Sequence, residues 1–195
     1  YKRQVVNLGF AGGVNRGIDE AGGENFILLN QDCLVQPNWL DALAAAIDTN
    51  PQAGIAGATI YNGDGSLNHV GAYIERPSAY GLHDSSTLPD SPRTAEFVTG
   101  ALFLIRGNVW ENVGRLDEDF FPGYYEESDY CYRAAAKGYQ TIVVPQAQAK
   151  HLLSSTEWQK EPERYTSIQH QNRYRFVIKH FAEAELPSFF DFEHQ

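Results

Sequence analysis

The sequence predicts an α/β layer fold, a sheet flanked by helices, and three observations carry that prediction. Short apolar runs alternate with segments of helical pattern along most of the chain. The run Phe26–Leu29 is continuously apolar between polar neighbours, as in a buried parallel strand. Proline, glycine and asparagine punctuate the chain where helices should start and stop.

Taken in order, Gln4–Val6 is a candidate strand, and the glycines at 12 and 13 lead into a helix over Val14–Ala21. Phe26–Leu29 is the next strand. Pro37-Asn38 opens an Ala/Leu-rich helix over Trp39–Thr49, which Asn50-Pro51 ends. Gly54–Tyr61 is a strand followed by the turn Asn62-Gly63-Asp64-Gly65. Residues 76–94, rich in Pro, Ser and Asp, read as a surface loop. Phe97–Ile105 is a strand interrupted by Thr99-Gly100, and a helix should run from about Glu127 to Lys137, with Gly138 as its stop. Gln140–Val144 is a last strand, ending at Pro145. Beyond Glu161 the pattern is helical and more basic to His180, then aromatic and acidic. With neither repeat nor linker, 1–195 reads as one domain, an α/β core over 1–160 and a helical tail over 161–195.

Composition excludes several classes. With 43% hydrophobic and 21% charged residues, the chain is neither disordered nor collagen-like. A net charge of −10 argues against nucleic acid as a partner, since phosphate backbones need a basic face. A nucleotide remains open, because a metal ion can neutralise it. The two cysteines, Cys33 and Cys131, are too few for a disulfide framework and suggest a reducing compartment. No apolar run approaches the roughly 20 residues of a membrane span, and no signal peptide is evident. The chain opens Tyr-Lys-Arg and contains no Met, as expected of a piece cut from a longer protein.

Four groups of residues could carry chemistry. Asn30-Gln31-Asp32 places a carboxylate just past a strand end, where open α/β sheets bind ligands; it could hold a divalent cation or simply cap the turn. Six acids between Asp117 and Asp129 surround Phe120-Phe121-Pro122-Gly123-Tyr124-Tyr125. They could form a solvated face, or a sugar site in which a buried carboxylate serves as general base. Asp129 and Arg133, at i and i+4, have an ion pair as their simplest reading. His151 becomes a metal ligand only if the fold brings it near Asp32; otherwise it is structural. The glycine-rich segment Asn7–Gly17 resembles a phosphate-cradling loop but fits neither GxGxxG nor the Walker pattern.

In this order and spacing, the segments resemble a family 2 glycosyltransferase of the GT-A fold, and within it the bacterial rhamnosyltransferase-like branch that builds surface polysaccharides. Asn7–Ile18 matches the family's Asn-x-Gly-Phe-Ala-x-x-Asn-x-Gly segment, and Phe26–Asp32 resembles the strand that ends in its metal motif. Thr99–Arg106 resembles the strand lining the active site. Val113–Phe121 and Glu126–Arg133 match two further motifs, and His151 falls where the family has a His after its last strand. Two departures stand out: the family's first strands, which cradle base and ribose, have no counterpart here, and Glu127 replaces the usual Asp base.

The resemblance implies a GT-A-like (Rossmann-like) mixed sheet flanked by helices, N-terminally truncated, from an inverting glycosyltransferase. Its donor would be dTDP-rhamnose or a UDP-sugar, and its acceptor a glycan or lipid-linked glycan. Asp32 and His151 would hold Mn or Mg, Glu127 would be the base, and Glu126 and Asp129 would position acceptor and helix. Asn7, Gly12, Asn15, Asn30, Gly100 and Tyr125 would line the substrate site, Gly100 giving the sugar room, and Arg173 would meet the donor phosphates. A cytoplasmic location at the inner face of the membrane follows from the same resemblance. Without the first strands, the edge of Phe26–Leu29 should be covered by Tyr1–Val6 or a second copy of the chain, and isolated nucleotide binding should be weak. The rival readings are a non-catalytic glycosyltransferase-like binding module and a glycoside hydrolase with paired carboxylates.

Overall fold

Side chains on the central strands alternate between two cores, and that alternation organises the molecule. The computed structural model describes residues 5–152 and 161–194. The main sheet has the order β1 (Asn25–Leu29), β8 (Leu102–Arg106), β3 (Ala53–Asn62), β9 (Gln140–His151), β2 (Cys33–Val35). In addition, β4 (Leu67–His69) pairs with β3, and β7 (Arg93–Ala95) with β9. A separate hairpin joins β5 (Ala72–Ile74) to β6 (Gly81–His83). Only β3 and β9 run parallel in the main sheet, so the sheet is mixed.

Ile55, Phe103, Ile105 and Val143 enter one core, and their neighbours Ala56, Leu102, Leu104, Ile142 and Val144 the other. This is the period-two alternation of a strand buried on both faces. Helix α2 (Trp39–Thr49) covers the second face with Leu43 and Ile47. The first face is covered by α1 (Gly9–Asp19), α3 (Gly107–Val113), α4 (Glu126–Ala136) and α5 (Pro162–His180), with α6 (Leu186–Glu193) adding Phe189. Each fully buried Phe or Leu contributes about 2–3 kcal/mol of transfer free energy.

The structure departs from the sequence reading at definite points. Val5 and Val6 form an exposed bend, and Tyr1–Gln4 lie outside the described residues. The first helix begins at Gly9, with Gly12 and Gly13 inside it. A Cβ at Gly12 would lie 3.0 Å from Leu8 Cβ and 3.4 Å from Glu118 Oε2, so the glycine serves close packing. β1 is antiparallel to β8 rather than parallel, and among the described residues it lies at the edge of the sheet, with Leu29 45% exposed. The segment read as a loop over 76–94 contains β6 and the start of β7, and it buries Ser78 and Ala79. α3 has no counterpart in the sequence reading, and α6 falls within its helical tail. β9 continues through Pro145, because residues 145–147 bulge out of β9 between Val144, opposite Ala58, and Gln148, opposite Thr59.

Candidate active site

Strand pairing assembles the first part of the site. Cys33 of β2 lies opposite His151 of β9, and Leu152 N donates to Asp32 O at 3.0 Å, which extends the ladder by one residue. Asp32 and His151, 119 residues apart, thereby meet with His151 Nε2 3.1 Å from Asp32 Oδ1. Both side chains keep some exposure, 15% for Asp32 and 18% for His151, so a ligand can reach them. Two donors on an octahedral ion at about 2.1 Å each are about 3 Å apart, and a carboxylate with an imidazole is a workable set for a divalent cation. The residues therefore fit such an ion. Cys33 is the donor that sequence reasoning missed: its Sγ, Asp32 and His151 all offer ligand atoms within 4.8 Å of one another. In this state Cys33 Sγ donates to Ala101 O at 3.4 Å, and burial, then the charge of Asp32, pushes its thiol up to about 11.

The second part stands at the N-terminus of α4. Tyr124 and Tyr125 both adopt positive φ, 76° and 72°, a conformation that is rare for such residues. Asn172 of α5 holds this turn by donating Nδ2 to the carbonyls of Phe120 (2.9 Å), Gly123 (2.8 Å) and Tyr124 (3.2 Å). The turn places Glu126, buried, beside Glu127, half-buried, each with a buried Oε2 that has no hydrogen-bond partner among the described residues. Burial, and next the charge of Glu127, raises the Glu126 carboxyl well above the usual range. Burial raises Glu127 as well, opposed by its own backbone N–H and by that of Gly100, which lies 3.5 Å from Glu127 Oε1.

The two parts share one piece of backbone. Gly100 N faces Glu127, while the next residue, Ala101, accepts hydrogen bonds at its carbonyl from Asn30 N (2.9 Å) and Cys33 Sγ. The acidic pair and the Asp32–His151 pair therefore flank the Thr99–Ala101 segment.

Other residues assigned to the site have different work. Asp129 is fully buried between Arg133 (2.7 Å), Lys179 (2.5 Å) and His180 (2.8 Å). Burial alone would raise its carboxyl, but the hydrogen bonds from His180 and Lys179 outweigh this and hold it at about 2. It ties α4 to α5 and, fully buried, is out of reach of an acceptor. Arg173, 1% exposed, spends its guanidinium on Ser78 O and Glu193, stacked over Tyr80, so it does not reach donor phosphates. Asn15 is a buried latch: Nδ2 donates to Leu116 O and Glu118 Oε1, and Oδ1 accepts from Leu116 N. Tyr125 is buried against Phe176 with its hydroxyl donated to Ala79 O, and burial pushes that hydroxyl up to about 12. A Cβ at Gly100 would lie 2.8 Å from the Phe10 ring, so the room there belongs to Phe10, not to a sugar. Asn7 Oδ1 accepts from Gly9 N and starts α1, and Gly12 is the packing glycine described above. Asn30 stays at the mouth, its N–H on Ala101.

A histidine pair was also missed. His69 is buried, its Nε2 accepts from Thr99 N at 3.3 Å, and its Nδ1 lies 3.2 Å from His83 Nδ1. Burial, then His83, holds His69 down at about 3, so it supports the Thr99 backbone as a neutral ring.

Residues 1–111 match the family model described as Glycosyl transferase family 2. The chain is similar to the N-acetylglucosaminyl-diphospho-decaprenol L-rhamnosyltransferase of Mycobacterium tuberculosis, 26% identical over 88% of this chain and 64% of that protein. It is 30% identical to the O-antigen biosynthesis protein RfbC of Myxococcus xanthus over 73% of this chain, which spans only 12% of that relative. Among solved structures it resembles GalNAc-T7 with UDP, GalNAc and Mn2+, at a TM-score of 0.65 and 19% identity over 77% of this chain and 32% of that one. No helix among the described residues is long and apolar enough to cross a membrane.

Proposed function

Because the chain belongs to glycosyl transferase family 2 and has its GT-A-like fold, we propose that it transfers a sugar, with inversion, from a nucleotide-sugar donor to a glycan or lipid-linked glycan. The observation that carries this reading is the Glu126–Glu127 pair, two carboxyls each with a buried oxygen that has no hydrogen-bond partner among the described residues. Two acids held this close cannot both ionise readily. Burial raises both carboxyls, Glu126 the more because the charge of Glu127 adds to it, and the Gly100 N–H favours the charged form of Glu127, which makes Glu127 the candidate base.

Glu127 then takes the proton from the acceptor hydroxyl as that oxygen bonds to the anomeric carbon. The bond from that carbon to the diphosphate oxygen breaks on the opposite face, and the electron pair leaves with the nucleoside diphosphate. Asp32 and His151 would hold Mn or Mg, whose charge, when bound, offsets the charge of the departing diphosphate. Backbone bonds from Asn30 N to Ala101 O and from Cys33 N to Asn30 O fix the turn that carries Asp32.

The donor is dTDP-rhamnose or a UDP-sugar, and the acceptor a lipid-linked intermediate of surface polysaccharide synthesis. What supports the choice is the similarity to a relative named for rhamnosyl transfer to a diphospho-decaprenol and to another named for O-antigen biosynthesis. Such an acceptor would place the work on the cytoplasmic side, at the inner face of the membrane. Calorimetry tests the reading: UDP or dTDP should bind roughly 100-fold more tightly with Mn2+ than without, about 2.7 kcal/mol, and Asp32→Ala should abolish the difference. Equal binding with and without Mn2+ would remove the role given to Asp32 and His151.

The outer edge of β1 pairs with no strand among the described residues. Beside it runs a groove of about 390 Å³ lined by Phe10, Val14, Ile18, Phe26 and Leu28. An open apolar edge invites strand pairing, and a second copy of the chain is the proposed cover. Sedimentation should return the mass of a dimer; a monomer at micromolar concentration would discard this part.

A further inference from the structure

The sheet places a thiol beside the carboxylate and imidazole, and we infer that Cys33 is a third ligand that makes the site favour a borderline cation such as Zn2+ or Co2+ over Mg2+. The inference rests on the reading of Asp32 and His151 as ligands and goes beyond it. Two observations converge. The antiparallel register of β2 and β9 sets Cys33 opposite His151, so their side chains share one face of the sheet and cannot drift apart without breaking the ladder. Independently, the carboxylate oxygen, the sulfur and the imidazole nitrogen lie within 4.8 Å of one another, the one such trio of His, Cys or acidic side chains among the described residues.

The present hydrogen bond of Cys33 to Ala101 O is long, 3.4 Å, and its loss costs little. A turn about the Cα–Cβ bond exchanges it for the ion. Ligation replaces the S–H bond by a metal–sulfur bond, and the proton leaves to solvent. A hard set of carboxylate and water suits Mg2+, whereas a thiolate added to imidazole shifts preference toward softer ions in the order of their general affinities. Cys131 does not compete for this role, because it is fully buried in the core.

Co2+ is the probe that separates this inference from the reading beneath it. Titrated into the full 195-residue chain, it should give a near-ultraviolet sulfur-to-cobalt charge-transfer band. Cys33→Ser should lose that band while still binding Co2+, roughly 100-fold more weakly, with Mg2+ affinity unchanged. Cys33→Ala, with a circular dichroism spectrum like that of the parent, guards against a folding artefact. Co2+ binding without the band, or the same affinity in parent and Cys33→Ser, overturns the thiolate ligand and leaves Asp32 and His151 standing. No Co2+ or Mn2+ binding at all overturns both.

Discussion

Glu127→Gln is expected to lower kcat at least about 100-fold, some 2.7 kcal/mol in activation free energy, while donor affinity stays within a few-fold of the parent. The substitution keeps size and hydrogen-bonding shape and removes only the ability to accept a proton, so the loss should fall on kcat and not on binding. Glu126→Gln should cost much less, because burial and the charge of Glu127 favour the protonated form of Glu126, which a glutamine mimics. The pH dependence has a definite sign. Burial raises both carboxyls, so the acid limb of kcat, where the base becomes ionised, should lie above the range of an ordinary glutamate. The same burial acts against stability at neutral pH. Between the unfolded value and the raised one the folded state holds a proton that the unfolded chain has released, so stability falls as pH rises through that window. Glu126→Gln should therefore raise Tm at neutral pH while activity declines only modestly, a trade between stability and function. A larger kcat loss in Glu126→Gln than in Glu127→Gln would reassign the base.

Asp129→Ala should be the most damaging single change to the fold, about 3 kcal/mol, because it strips a buried carboxylate from three basic partners at once. For a chain of this length that is a fall in Tm of roughly 6–12 °C. Arg133, Lys179 and His180 retain some access to water, 24%, 29% and 11%, which keeps the cost at the lower end for a broken buried pair. Here too pH gives an independent check. The carboxyl of Asp129 is held at about 2, below its unfolded value near 3.9. Its contribution is complete above about pH 4 and disappears as pH falls through about 2. In Asp129→Ala this part of the acid unfolding profile should flatten. A variant as stable as the parent, with an unchanged acid limb, would deny Asp129 its part in joining α4 to α5.

The elements that sequence located best are those with explicit punctuation. Pro37-Asn38 and Asn50-Pro51 bracket α2 at the residues observed, and Gly138 follows α4 by two. Where one residue type serves two purposes, local pattern misled. Pro145 ordinarily ends a strand, but in β9 it sits in a bulge. The apolar run Phe26–Leu29 fits a central parallel strand equally well, and only its partner β8 reveals it as an antiparallel edge. At the site, the acidic pair and the Asp32–His151 pair were readable as candidate chemistry. That Asn15, Arg173, Tyr125 and Asp129 are braces was not, because their partners Leu116, Glu193, Ala79 and His180 lie 20 to 101 residues away. Cys33 escaped notice for the same reason: its place opposite His151 exists only once β2 and β9 pair.

The bulge in β9 has a consequence for how this sequence can vary. Pro145, Gln146 and Ala147 have no opposite number on β3, and Gln148 Nε2 staples them by donating to Pro145 O at 3.0 Å. Because the excursion leaves the ladder, the residues beyond it take their direction from their partners: Gln148 lies opposite Thr59, and His151 opposite Asn62 of β3 and Cys33 of β2. The excursion thus works as a spacer, and the two-sided pairing after it aims an imidazole four residues downstream. Substitutions that weaken the pairing of 148–151 with β3 or β2 should loosen the Asp32–His151 contact without altering either residue.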